Sequence, residues 1–186
     1  MSRQGVCMGE VRIIGGQWRR TRLPVLARPG LRPTPDRVRE TLFNWLGQDL
    51  TGKSCLDLFA GSGALGFEAA SRGAQHVVMV ERDAVAFKAL ETNVAKLGAG
   101  AVELKRADAL EFLRADRAAY DVVFLDPPFD ADVMDALLDT LPPHLAPRGM
   151  VYAESAAPPR LAPPWRVHRS GRAGAVCHQL LTMEQP

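Results

Sequence analysis

From residue 54 to residue 141 the chain alternates short apolar runs with segments of helical spacing. The periodicity predicts strands at 54–59, 76–81, 102–106 and 120–125, and helices at 64–72, 83–97, 109–114 and 131–141. Strands that alternate with helices in this way lie parallel and are covered on both faces, which gives an α/β, Rossmann-like, doubly wound sheet. Past the last helix, strands are expected at 150–154 and near 176–182, with the proline-rich residues 156–164 between them read as loop. These two are expected to pair as a terminal antiparallel hairpin, so that the sheet edge is mixed. A length of 186 residues supports one main domain, taken as 51–186, and a small extension, 1–50.

In the extension, Val11-Arg12-Ile13-Ile14 and Gln17-Trp18-Arg19-Arg20 flank Gly15-Gly16, a pair that favours a two-residue primed turn. After the proline-broken stretch 23–33, Thr34-Pro35-Asp36 reads as N-cap, first-turn proline and dipole-favoured acid. The helix that follows places Val38, Leu42, Trp45 and Leu46 on one face, and Trp18 is expected to cover the core.

Net charge is only +2, but residues 1–40 carry nine arginines against three acids. A basic arm on a mildly acidic body suits a phosphate-rich partner, and it equally describes a solvated surface. Cys7, Cys55 and Cys177 are far apart and have no metal-ligand spacing, so neither a disulfide framework nor a zinc site is indicated. With 47% hydrophobic residues, no run of about 18 apolar residues and no signal-like stretch in 1–30, a cytoplasmic protein is expected, and nothing requires more than a monomer.

Two motifs carry chemistry. Gly61-Ser62-Gly63-Ala64-Leu65-Gly66 matches the dinucleotide fingerprint, and Glu81 follows Gly61 by 20 residues. Alone, this fits a nicotinamide cofactor. Yet the strand before it ends in Asp57, and an acid there repels pyrophosphate and attracts a cofactor bearing an ammonium, such as S-adenosylmethionine. Glycines at 61 and 63 let the backbone pass close to an uncharged thio-nucleoside, whereas Gly66 is read as a helix-packing residue. Glu81 ends the next strand, where a carboxylate can accept both ribose hydroxyls. Asp108 follows the third, where it can meet the adenine edge, N-cap the helix at 109, or do both.

The second motif is Asp126-Pro127-Pro128-Phe129, directly after the apolar run 122–125. By itself Asp-Pro-Pro can be a turn that ends a strand. Beside a glycine loop it gains a purpose. The Asp126 carboxylate and the Pro127 carbonyl can each accept a hydrogen bond from one planar amino group, and Phe129 can stack on the heterocycle that carries it. That arrangement points to methyl transfer to nitrogen.

The residues 12–19, 32–46, 57–66 and 126–129 resemble, in order, the RsmD family of bacterial ribosomal RNA methyltransferases. The resemblance runs from about residue 11 to the end, and the arginine-rich segment 32–46 singles out this family. It implies methyl transfer from S-adenosyl-L-methionine to the exocyclic N2 of guanine 966 of 16S rRNA, as naked RNA or in a small-subunit assembly intermediate. It also implies a cofactor site formed by Asp57, Phe59, Gly61, Gly63, Glu81 and Asp108 with Asp126 at its border, and a base pocket of Asp126, Pro127 and Phe129. Arg12, Arg19, Arg20, Arg37 and Arg39 become candidates for RNA contact, and the target base has to flip out of its helix. The tail 172–181 matches only loosely. Competing readings are a methyltransferase acting on DNA adenine N6 or a protein glutamine amide, a nicotinamide-dependent oxidoreductase, and a catalytically silent RNA-binding module.

Overall fold

The computed structural model describes residues 8–26, 35–127 and 131–184. The expected Thr34 cap, Arg32, Cys7, Pro128 and Phe129 lie outside these residues. The predicted alternation is present as β3 (Ser54–Asp57), α2 (Ala64–Ser71), β4 (His76–Val80), α3 (Ala84–Leu97), β5 (Val102–Lys105), α4 (Ala109–Ala115), β6 (Tyr120–Leu125) and α5 (Ala131–Thr140). Before it come β1 (Met8–Arg12), β2 (Arg22–Leu26) and α1 (Asp36–Trp45); after it come β7 (Leu145–Ser155), β8 (Trp165–Ala173) and β9 (Val176–Met183).

Seven strands form one sheet in the order β5-β4-β3-β6-β7-β9-β8. The central strands are apolar on both faces, with Leu56, Val77, Met79, Val80, Val123, Phe124 and Leu125 all buried, as parallel strands under two helix layers must be. On one face Leu42 and Phe43 of α1, Phe67 of α2 and Leu90 of α3 pack against Phe124, Tyr152 and Leu180. On the other, Leu113 of α4 and Met134, Leu137 and Leu138 of α5 pack against Leu125, Val151 and Leu181. The connection order reverses between β3 and β6, which opens a crevice at their carboxyl ends.

Two expectations need correction. The terminal element has three strands, not two: β7 does pair with β9, antiparallel, but β9 lies between β7 and an unforeseen β8, and the hairpin is β8–β9. At the other end, β1 pairs with β2 at 22–26, not with 17–20, and the connection runs from residue 13 to 21. Gly15 and Gly16 serve close approach to α2 rather than a primed turn. The Gln17 N–H donates to Ser71 O at 2.7 Å, and Gly16 has φ +72°; a Cβ there would stand 1.8 Å from Ser71 O. Gly16→Ala is therefore expected to destabilise the protein by about 1–3 kcal/mol, measured by urea denaturation.

The extension shares the main core, since Ile13, Leu23, Leu42, Phe43 and Leu50 belong to the same buried cluster as Cys55 and Phe67, with Trp18 packed on its margin. Its anchor is polar. Glu68 of α2 is fully buried and accepts from Ile14 N and Gly15 N, each at 2.8 Å, and from Arg72 Nε at 2.8 Å. Arg39 reaches the same carboxylate at 3.6 Å while donating to Arg12 O and Asp36 Oδ1. Against the cost of burial, Arg12 and Arg39 pull Asp36 below the ordinary carboxylate range.

Candidate active site

The carboxyl ends of β3, β4, β5 and β6 bring Asp57, Glu81, Asp108 and Asp126 to one edge of the sheet. Asp57 ends the apolar strand β3, and Glu81 and Asp126 directly follow the apolar strands β4 and β6, whereas Asp108 stands beyond β5 at the start of α4. Asp57 is the deepest, 2% exposed. Its Oδ2 accepts from Gly66 N at 3.0 Å, and the Phe59 N–H is a second donor, so it fixes the loop that passes over it. Burial raises its pKa to about 7; the two N–H bonds pull the other way and nearby Glu81 adds to the rise.

The sign of this shift gives a test. A folded-state pKa of about 7 lies above the ordinary 3.8, so the native protein retains a proton that the unfolded chain releases. The stability contributed is complete below pH 3.8 and is lost as pH rises through 7. Asp57→Asn, which cannot ionise, is expected to flatten this part of the profile. Urea midpoints of both proteins at several values between pH 4 and 7 should draw apart as pH rises, and a difference that stays constant across this range would show that the shift is absent.

The glycine loop has the required backbone. Gly61 has φ +49° and Gly63 φ +80°. A Cβ on Gly61 would meet only Phe59 O, at 3.8 Å, so the space above this residue is open, whereas one on Gly63 would strike Phe67 at 2.4 Å. Gly66 faces Met79, where a Cβ would sit 2.7 Å from the side chain, in keeping with its reading as a packing residue. Phe59 is half-buried beside the loop.

Glu81 joins two elements: Oε2 accepts from Gly61 N at 2.9 Å and Oε1 from Asp83 N at 2.7 Å. Asp108 is the N-cap of α4, its Oδ1 accepting from Leu110 N at 2.9 Å and Glu111 N at 3.3 Å. Asp126 is half-buried and Pro127 buried, immediately past β6, whose Phe124 is in register with Asp57.

Two neighbours of Asp126 lie outside both sequence motifs. Tyr152 of β7 is fully buried and donates to Glu154 Oε1 at 2.8 Å, and Glu154 is itself buried. Burial, then the negative charges of Glu154 and Asp126, hold the Tyr152 hydroxyl protonated. The signal existed, for Glu154 closes an apolar strand just as Glu81 does.

The five arginines separate. Arg19, Arg20 and Arg37 are exposed and have no carboxylate partner among the described residues. Arg12 binds Asp36 at 2.6 Å. Arg39 is 2% exposed inside the Glu68 network, so its side chain is not displayed for contact with a macromolecule. No helix among the described residues is long and apolar enough to cross a membrane.

Comparison with known proteins gives a consistent assignment. The family described as Conserved hypothetical protein 95 matches residues 11–182. The ribosomal RNA small subunit methyltransferase D of Escherichia coli K12 is 42% identical over 181 residues, covering 95% of this chain and 91% of the relative. The solved structure of Escherichia coli yhhF, described provisionally as a methyltransferase, superposes with a TM-score of 0.86 at 40% identity, covering 95% of this chain and 99% of that one. At 15% identity, with a TM-score of 0.70 over 87% of this chain and 53% of the other, SMU.776 in complex with S-adenosylhomocysteine shares the fold.

Proposed function

Because this chain belongs to the ribosomal RNA small subunit methyltransferase D (RsmD) family, we propose that it transfers a methyl group from S-adenosyl-L-methionine to the exocyclic N2 of one guanine of 16S rRNA, guanine 966 in the family. The observation that carries this reading is the register of β3 and β6, which sets the Asp126-Pro127 acceptor pair beside the open glycine loop at the point where strand order reverses. A nicotinamide reading is disfavoured by the antiparallel β9 inside the sheet, foreign to the dinucleotide order, and by the buried acid at position 57.

The residues present fit the methyl donor. The space over Gly61 admits a nucleoside against the backbone, Glu81 offers two oxygens at ribose height, and Asp108 stands at the next strand end. Phe59 lies against the same loop, and Asp57 holds that loop in shape. When bound, S-adenosyl-L-methionine supplies an electrophilic methyl group on a sulfonium.

An aromatic amine is a poor nucleophile because its lone pair is delocalised into the ring. Asp126 and the Pro127 carbonyl accept its two N–H bonds, turn the lone pair toward the methyl group and stabilise the positive charge that grows on nitrogen. Once the N–C bond has formed, the nitrogen loses a proton to Asp126 or to water. Phe129 is assigned the face of the base, and Arg19, Arg20 and Arg37 the flanking phosphates.

Transfer of labelled methyl to 16S rRNA and to assembly intermediates from cells lacking this modification tests the reading. The expected product after digestion is N2-methylguanine at a single site. Label recovered on adenine N6 or on a glutamine amide would overturn it.

A further inference from the structure

Ion pairing takes up part of the positive charge of the N-terminal arm, and a second basic surface lies at the far edge of the sheet. Arg12, Arg22, Arg39 and Arg72 all have carboxylate partners, in Asp36, Glu10 and Glu68. Residues 155–183, by contrast, contain four arginines and no acid. Three of them lie on β8, the outermost strand of the sheet, with Arg166, Val167, His168, Arg169, Ser170 and Arg172 all exposed. Arg166 pairs with exposed Glu184 at 3.0 Å; among the described residues no carboxylate lies within ion-pairing distance of Arg169 or Arg172.

The ladder arranges them. Arg166 opposes Thr182 and Arg169 opposes Leu180, with a register shift between Val167 and Arg169. Simple alternation would put residues three apart on opposite faces. The extra residue in the bulge returns Arg169 to the face of Arg166, on the α1 side of the sheet, about 7 Å along the strand. Arg172, opposite Cys177 and so on the other face of the sheet, follows at the end of β8, where its Nε donates to Gly174 O. Because β8 and β7 are each antiparallel to β9, β8 runs in the direction of β6, and Arg172 reaches the same edge as Asp126. Three strand spacings, roughly 15 Å, separate them.

We propose that the β8 edge is an RNA-docking track, on which Arg169 and Arg172, with His168 beside them, grip the backbone of the strand that leads from the flipped base. The inference rests on the proposed RNA substrate. Its occupant is a polyanion because the outermost strand carries two guanidinium groups without carboxylate partners among the described residues, one on each face of the sheet edge, in line with the Asp126 edge.

The test compares the full chain with Arg169→Gln/Arg172→Gln and Arg169→Lys/Arg172→Lys. Affinity for 16S rRNA is measured against salt, together with S-adenosylhomocysteine affinity, methylation kinetics and oligomeric state. The glutamine variant is expected to bind RNA about tenfold or more weakly and to lose about 1.5 to 2 from the slope of log K against log salt. Its KM should rise while kcat and S-adenosylhomocysteine affinity hold, and the lysine variant should restore the slope. An unchanged slope and KM would overturn the proposal, as would a variant that merely self-associates, since the arginines would then only guard a strand edge. RNA binding is read separately from product identity. A methyl group found on another substrate, with the salt slope still dependent on these arginines, would overturn the reaction assignment and leave the docking surface standing.

Discussion

Asp126→Asn is expected to lower kcat and kcat/KM together by at least about 100-fold, the scale seen when one transition-state hydrogen-bonding group is removed. The substitution preserves size and one acceptor oxygen but presents an amino group where the substrate's own N–H must be received. Two donors then face each other, and the lone pair of the nucleophile loses its aim. Positive charge developing on nitrogen also loses the carboxylate that offsets it. Affinity for S-adenosylhomocysteine should change by less than about tenfold, because Asp57, Glu81 and the glycine loop are untouched. Single-turnover methyl transfer with saturating RNA, set beside calorimetric titration of S-adenosylhomocysteine, separates the two effects. Retention of more than about a tenth of wild-type turnover would remove Asp126 from the chemistry.

The second large effect lies far from the reacting atoms. Glu68→Ala is expected to destabilise the protein by about 3–5 kcal/mol, the range for removing one partner of a buried ion pair. It would leave Arg39 and Arg72, respectively 2% and 8% exposed in their side chains, facing a void where a carboxylate stood. It would also strip the acceptors from Ile14 N and Gly15 N, which hold residues 13–21 on α2. For a chain of this size the melting temperature should fall by roughly 10 °C or more. Glu68→Gln keeps shape and one acceptor oxygen and should fall between. Amide exchange would show Ile14 and Gly15 losing protection before the sheet. A loss under about 1 kcal/mol for the alanine variant would mean that the apolar contacts of Ile13 and Leu23 suffice to seat the extension.

How much of this was legible depended on whether a residue's environment follows from its local pattern. The parallel core was readable because β3, β4 and β6 are apolar on both faces and segments of helical spacing alternate with them. The acids at 57, 81 and 126 were readable for the same reason, as charges that terminate apolar runs, and Asp108 by its place between a strand and a helix. β8 was not: beyond buried Trp165 its residues are largely exposed on both sides, so no alternation marks it, and backbone pairing with β9 makes it a strand. The glycine pair at 15–16 was misleading because local grammar suggests a primed turn, while the requirement that decided it, contact with Ser71, comes from 55 residues away. Arginine counting failed similarly. Composition records charge but not partners, so burial of Arg39 against Glu68 left no mark in its own segment. The cysteines were read simply: Cys55 and Cys177 are buried thiols, and burial pushes that of Cys55 up to about 12.

The position of β9 has a consequence for synthesis. A chain emerging amino-terminus first produces β7, then β8, and only then the strand that must lie between them. Until residues 176–183 are available, β7 presents an unpaired flank and β8 has nothing to bind; Leu180 and Leu181, both fully buried, are missing from the two helix-covered layers. The far half of the sheet therefore closes in one late event rather than strand by strand. A message cut short before codon 176 would yield no partly useful enzyme, but a polypeptide with an open sheet edge on the strand next to the one that leads into Asp126.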